Sequence, residues 1–248
     1  MTSNCGFCGG NLTERGPQSV PVCEDCGRLD TAEEESEEVA AAEQPTNSDS
    51  SQREPIGWVE TVDVKDSSDE LLVELLSSLD QAGDDLAANP DERVYAAELA
   101  TDAWENRLTA GRSVEATVGT CLYIAFRVCD KPRPIGVVAD IVDTTTSEIT
   151  SLRQNIVSDQ DVTLTAPQPS NYVPYLSADL QLPTTVSDRA QDMLDGVRLA
   201  GDPAGIAAGA LYLTAQDSDN PVTMKEAAQA TRLTKETIWQ RVDDLRNQ

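Results

Sequence analysis

The sequence predicts a small metal-bound β module at the N-terminus and an all-α core of two similar five-helix repeats. Four of the six cysteines fall in the first 26 residues with the spacing C-x2-C-x14-C-x2-C. From Asp69 onward, apolar residues recur at three- and four-residue steps, as amphipathic helices require, and strand-like alternation is nearly absent. A pattern around Leu122 returns 89 residues later, which predicts that the helical part contains a repeated unit.

The cysteine spacing is typical of a zinc ribbon. Each C-x2-C pair lets two thiolates face one cation from a tight turn, and two pairs complete a tetrahedral site with Zn–S distances of about 2.3 Å. The chain has no histidine, so the ligand set is all cysteine, which selects zinc or iron. Two disulfides are the alternative, but they suit a small secreted domain. We predict one structural Zn²⁺ held by Cys5, Cys8, Cys23 and Cys26.

The composition favours an intracellular, cytoplasmic protein without membrane contact. No stretch approaches the roughly 20 apolar residues that a membrane span needs. Residues 1–16 contain no apolar run of the kind that a signal peptide carries. Cys121 and Cys129 lie in apolar helical sequence, and we expect both to be buried small hydrophobic side chains.

The net charge of −26 is the second global signal. One interpretation is a protein that mimics an acidic partner. The other is a halophilic protein adapted to molar intracellular salt, where self-repulsion is screened to about 3 Å at 1 M. Acidic residues occur in every segment and lysine is scarce, which favours the halophilic interpretation.

The chain divides by composition. Residues 30–54 hold nine acidic residues and one basic residue, and such a segment buries too little apolar surface to offset the entropy of ordering. We therefore predict five regions: a zinc ribbon (1–29), a disordered acidic linker (30–66), a first repeat (67–160), an inter-repeat linker (161–170) and a second repeat (171–248).

The two repeats match helix by helix. Leu122-Tyr123-Ile124 corresponds to Leu211-Tyr212-Leu213, inside two helices rich in small residues, Val114–Arg127 and Ala204–Gln216. Small residues let neighbouring helices approach closely, so we expect these two helices to be central. Matching helices are predicted upstream at Arg93–Leu108 and Val186–Leu199. Capping-box spacing predicts helix starts after Thr145 and after Thr223.

Several stretches in this order resemble archaeal transcription factor B, the counterpart of eukaryotic transcription factor II B. The stretches are Gly111–Ala116, Cys121–Ala125, Asn171–Leu176, Ile206–Leu213 and Leu233–Arg241. Together with the ribbon, the resemblance covers nearly all of residues 69–248. It implies that the five-helix repeats are cyclin-like domains.

The resemblance also implies partners. In the family the ribbon docks on RNA polymerase, and the repeats clasp the complex of TATA-binding protein and promoter DNA. The last two helices form a helix-turn-helix, here Met224–Ala230 and Lys235–Arg246. Ile238, Val242 and Leu245 would face the core. The implied DNA-binding residues are Arg232, Lys235, Thr237, Gln240 and Arg241. We expect a monomer that associates with the nucleoid.

The chain departs from the family pattern at points that concern DNA. Trp239 stands where the family usually has an arginine, and Glu236 where it has a small apolar residue. Tryptophan cannot make the bidentate contact of arginine with guanine. The acidic run Glu33–Glu38 replaces the segment that enters the polymerase cleft. These differences indicate a divergent paralogue. The candidates for retained DNA contact are Arg112, Arg133, Arg153, Arg232, Arg241 and Arg246.

Two other function classes are the alternatives. The same fold could serve as a regulatory protein-interaction adaptor that docks on polymerase without reading DNA, and Glu236 and Trp239 favour that hypothesis. An enzyme is not expected, because a chain without histidine lacks every histidine-based general base or triad. The sequence also contains no P-loop and no dinucleotide-binding glycine motif.

The cysteine spacing generates the first testable prediction. Native protein should carry one zinc ion per chain in elemental analysis, and Cys5→Ser should abolish binding, because three thiolates cannot close a four-cysteine site. Circular dichroism should show that the helical core of this variant is retained. Disulfides mapped among the four cysteines, or protein without zinc or iron, would contradict the prediction.

Overall fold

The computed structural model describes Leu12–Thr13, Val22–Cys23, residues 67–216, Ser218 and residues 221–248. Strands β1 (Leu12–Thr13) and β2 (Val22–Cys23) pair antiparallel, with Leu12 opposite Cys23. The other predicted zinc ligands and the predicted linker 30–66 lie outside the described residues. The zinc ribbon therefore stays a prediction.

The helical part confirms two five-helix repeats. In the described residues from 67 to 248 there are ten helices and no strand. The first repeat contains α1 (Ser67–Asp85), α2 (Pro90–Glu105), α3 (Val114–Val128), α4 (Ile135–Ile141) and α5 (Thr146–Asp159). The second contains α6 (Pro169–Asp179), α7 (Thr184–Leu194), α8 (Pro203–Ala215), α9 (Met224–Thr231) and α10 (Lys235–Arg246). None of these described helices has the length and apolar character needed to cross a membrane.

The repeat offset holds for the last three helices of each unit. The pairs α3 and α8, α4 and α9, and α5 and α10 each begin 89 residues apart. Thr145 and Thr223 form the predicted capping boxes, in which the threonine hydroxyl accepts the N–H of the glutamate three residues on. The 89-residue offset does not extend to the first helices of the two units. Helix α1 has 19 residues, whereas its counterpart α6 has only 11.

Several helix boundaries differ from the sequence prediction. Helix α2 begins at Pro90, since Asn89 caps it, and ends at Glu105, before the positive φ of Arg107. Helix α7 ends at Leu194, five residues early, where Gly196 adopts a φ of +73°. Helix α6 begins at Pro169, inside the predicted inter-repeat linker, because proline suits the first turn of a helix.

The small-residue helices are central, as predicted. Helix α3 contacts all four other helices of its repeat, and α8 does the same in the second repeat. Tyr123 is buried in the first core, whereas Tyr212 is only half-buried against the second. Cys121 is fully buried, and burial raises the pKa of its thiol to about 12, so it behaves as a small hydrophobe. Cys129, at the end of α3, is half-buried.

Arg133 is buried where the two repeats meet. Arg133 is 7% exposed and its guanidinium lies between two rings, 4.6 Å from the centroid of Phe126 and 4.8 Å from that of Tyr175 in α6. It also donates to two carbonyl oxygens of the α1–α2 turn and faces the buried Glu92 carboxylate at 3.6 Å. This burial excludes Arg133 as the DNA contact that the sequence allowed.

Gly119 generates a prediction about packing in α3. A Cβ there would lie 2.8 Å from Val142 Cγ2 and 3.2 Å from Ile149 Cδ1, so Gly119→Ala overpacks the core. We expect the free energy of unfolding to fall by about 1–2 kcal/mol, after the gain in helix propensity. In the matched variant Gly209→Ala, the nearest atoms lie at 3.4 Å, and stability should hold or rise. Equal urea midpoints for the two variants would contradict this.

Arg133 generates a second prediction. Arg133→Met keeps the apolar stem but leaves the Glu92 carboxylate buried without its ion-pair partner. We expect the free energy of unfolding to fall by about 3–5 kcal/mol, measured by urea titration. Arg198→Met, at an exposed position, is the control and should change stability by no more than about 0.5 kcal/mol.

Adding Glu92→Gln to Arg133→Met should recover part of the loss, because the buried charge is then removed. A loss in Arg133→Met no larger than that of the control would show that this ion pair does not stabilise the fold.

Candidate nucleic-acid interface

Helices α9 and α10 form a helix-turn-helix with a three-residue turn. Helix α9 ends at Thr231, and Arg232 then adopts the left-handed conformation, with φ of +56°. Thr234 caps α10, since its hydroxyl accepts the N–H of Thr237 at 3.2 Å. A turn of this length between two helices is the usual form of the motif.

The inner face of α10 packs on the second-repeat core. Ile238 and Val242 are buried there, as predicted. Leu245 is half-buried and packs against the same core. Helix α10 contacts both α8 and α9, so its outer face has a fixed direction relative to the repeat.

Arg241 lies on the flank of α10 and is largely buried, which differs from the exposed position expected from sequence. Its side chain is 16% exposed, and Nη1 donates to Ala200 O at 3.0 Å and to Asp244 Oδ2 at 2.7 Å. The guanidinium lies against Gly201, where a Cβ would come within 2.7 Å of Cζ. Arg241 therefore ties α10 to the loop before α8.

Arg232 is also engaged within the chain. Its Nε donates to Asp140 Oδ2 of α4 at 2.8 Å, and Nη1 donates to Gln229 O at 2.6 Å. The Arg232–Asp140 ion pair crosses between the repeats, and the two side chains remain partly exposed, at 44% and 60%. Gly136 of α4 permits this approach, because a Cβ there would lie 2.7 Å from Arg232 Cβ.

The other three predicted DNA-binding residues lie on the outer side of α10. Lys235 and Gln240 are exposed, and Thr237 is half-buried, with its hydroxyl 3.0 Å from that of Thr234. Lys235 makes no ion pair within the described part of the chain. The structure thus leaves three of the five side chains turned outward and uses the two arginines internally.

Carboxylates and one aromatic ring share this outer side. Glu236 and Asp243 are exposed, and Trp239 is 61% exposed, the largest value among the exposed large hydrophobic residues of the described chain. Lys235 is the single lysine of α10. The local field therefore does not favour a phosphate backbone strongly, and any DNA contact depends on few groups.

Sequence reasoning missed the partners that organise this motif. Asp140 and Ala200 lie 92 and 41 residues from the arginines they bind, so no local pattern connects them. One signal was present: glycines at positions 201, 205 and 209 recur every four residues. A Cβ at any of the three would lie within 4 Å of the Arg241 side chain, so the glycine stripe marks the groove that receives it.

Comparison with known proteins adds an independent finding. A family described as Transcription factor TFIIB repeat matches residues 90–157 and 162–248. Similar curated proteins include "Transcription initiation factor IIB" of Methanococcus maripaludis strain C5, 30% identical over 193 residues, with 76% of this chain and 57% of that protein covered.

Two further relatives cover the same share of this chain. "Transcription initiation factor IIB" of Methanothermococcus thermolithotrophicus is 31% identical over 193 residues, with 57% of its length covered. "Transcription initiation factor IIB 6" of Halobacterium salinarum strain NRC-1 is 27% identical, with 60% covered. The chain therefore aligns with somewhat more than half the length of these relatives.

Proposed function

Because the chain belongs to the transcription factor TFIIB repeat family, we propose that it acts in transcription initiation as a factor B-like protein. In this role it bridges RNA polymerase and a complex of TATA-binding protein with promoter DNA. Support comes from the order and number of its repeats, since the family match covers α2 to α5 and then α6 to α10. The names of its relatives point to the same process.

The assignment of α10 as the helix that faces DNA rests on one observation. Helix α10 follows a three-residue turn, is packed on its inner face and presents Lys235 and Gln240 outward. In a helix-turn-helix the N-terminal residues of the second helix contact base edges. We therefore assign base contact to Gln240 and Thr237, phosphate contact to Lys235, and the positioning of α10 to Arg232 and Arg241.

The remaining assignments follow from the family resemblance. The cysteine ribbon is proposed to dock on polymerase, and the cyclin-like repeats to hold the TATA-binding protein. Zinc would serve there only to fold the ribbon, because four thiolates leave no open coordination position. None of these contacts depends on a catalytic group.

The charge of the chain shapes how it would bind DNA. A net charge of −26 is unfavourable beside phosphates at low salt, whereas at molar salt the field is screened within about 3 Å. The affinity gained from neutralising phosphates also falls steeply with salt. A salt-adapted paralogue would thus rely on burial against TATA-binding protein and on a few base contacts.

The adaptor hypothesis remains the second candidate, and one observation favours it. Both arginines among the five predicted DNA-binding residues, Arg232 and Arg241, are bound to acidic side chains of the same chain. If α10 reads no bases, the repeats would still bind a protein partner through the same fold.

A mobility-shift assay in molar KCl, with TATA-binding protein and promoter DNA, separates the two. Gln240→Ala should cost about 1–3 kcal/mol of complex stability, because it removes a base-edge contact. Lys235→Ala should weaken binding on all sequences alike and lower the salt dependence by about one phosphate contact. Gln191→Ala, an exposed glutamine of α7, is the control and should bind as wild type. Unchanged binding in both α10 variants would give the adaptor hypothesis the lead.

A further inference from the structure

The outer side of α10 carries an exposed groove whose indole and carboxylates are not explained by the proposed DNA contact. The groove lies beside the start of α9 and has a volume of about 730 Å³. Its lining residues are Met224, Lys235, Glu236, Trp239, Gln240, Asp243 and Asp244. Trp239 is 61% exposed. Tryptophan is enriched among the residues that dominate binding energy at protein interfaces, whereas leucine and valine are under-represented there.

The charges around the indole identify the kind of partner. Glu236 and Asp243 stand three residues before and four residues after Trp239, so all three side chains share one face of the helix. Neither carboxylate forms an ion pair or a side-chain hydrogen bond within the described part of the chain. Asp244 is already bound to Arg241. Two carboxylates without an ion pair in the described chain, and one lysine, Lys235, thus line the groove.

We propose that this Trp239 groove is a docking site for an arginine-containing segment of another protein. The guanidinium stacks on the indole face, which is the most favourable aromatic surface for a cation, and donates to Glu236 or Asp243. An adjacent apolar side chain of the segment lies against the half-buried Met224. Arginine fits better than lysine, because its planar group stacks and forms paired hydrogen bonds to a carboxylate at once.

The site suits a protein that works in concentrated salt. Stacking and apolar burial lose less to screening than an exposed ion pair does, so affinity survives where phosphate contacts weaken. The groove deepens the proposed function and rests on it for its setting, since the partner would be a protein of the initiation complex. It also accounts for Trp239 and Glu236, the two departures from the family pattern on this helix.

The test is a titration of the full chain with a fluorescein-labelled peptide of alternating leucine and arginine, followed by anisotropy in moderate and in molar KCl. We expect Trp239→Ala to weaken binding about 5- to 30-fold, and Trp239→Phe to weaken it less. Glu236→Gln/Asp243→Asn should also weaken it. A citrulline version of the peptide, which keeps the shape without the charge, should bind poorly.

The control variant is Asp188→Asn/Asp192→Asn, which removes two exposed carboxylates from one face of α7, a helix that contains no aromatic residue. It should bind the peptide as wild type does. No binding by wild type would overturn the proposal. So would equal binding by Trp239→Ala, equal binding of the citrulline peptide, or an equal loss in the control. The titration contains neither TATA-binding protein nor DNA, so its failure is distinguishable from failure of the proposed function.

Discussion

The helical core depends on the contact between the buried guanidinium of Arg133 and the buried carboxylate of Glu92. Glu92 is fully buried and its Oε2 accepts the N–H of Asn89 at 2.8 Å, so its charge closes the capping box of α2. Burying that carboxylate is costly unless a cation faces it. Arg133 supplies the cation, and although burial lowers its pKa, the Glu92 charge acts to raise it. The guanidinium also stacks on Tyr175 of α6, so the cation that neutralises Glu92 in the first repeat is in contact with the second repeat as well.

Four arginines of the described chain, Arg93, Arg133, Arg232 and Arg241, are held in ion pairs within the fold. The chain has 18 lysines and arginines against 44 acidic residues, so carboxylates far outnumber the cations with which they can pair. Arg93 joins α2 to α1 through Asp80 at 3.0 Å and through Asp84. Arg232 joins the repeats and Arg241 holds α10. On α10, Lys235 and Arg246 make no ion pair within the described chain. Specificity in the proposed DNA contact would therefore come from shape, base edges and protein contacts more than from a basic surface.

Helix α10 is therefore a rigid element whose outer side can serve two kinds of contact. Its position is over-determined: Ile238 and Val242 pack in the core, and Arg241 binds the loop before α8. Rigidity of this kind suits both base reading and docking, because a fixed helix loses little entropy on binding. The N-terminal residue Lys235 and the central residue Trp239 differ in chemistry. A cation suits phosphate, whereas an indole flanked by carboxylates suits a basic protein segment.

The sequence by itself determined the features that depend on neighbouring residues or on the duplication of the repeat. The periodic apolar residues of α10, the threonine caps of α5 and α9, and the 89-residue offset of three helix pairs could all be predicted, because each depends on residues a few positions apart or on direct duplication. Only the tertiary structure decided where the arginines point. Arg133 and Arg241 looked alike as surface candidates, yet their partners come from distant segments. A long flexible arginine side chain takes the position in which carboxylates or carbonyl oxygens surround its guanidinium, and that position exists only once the helices have packed.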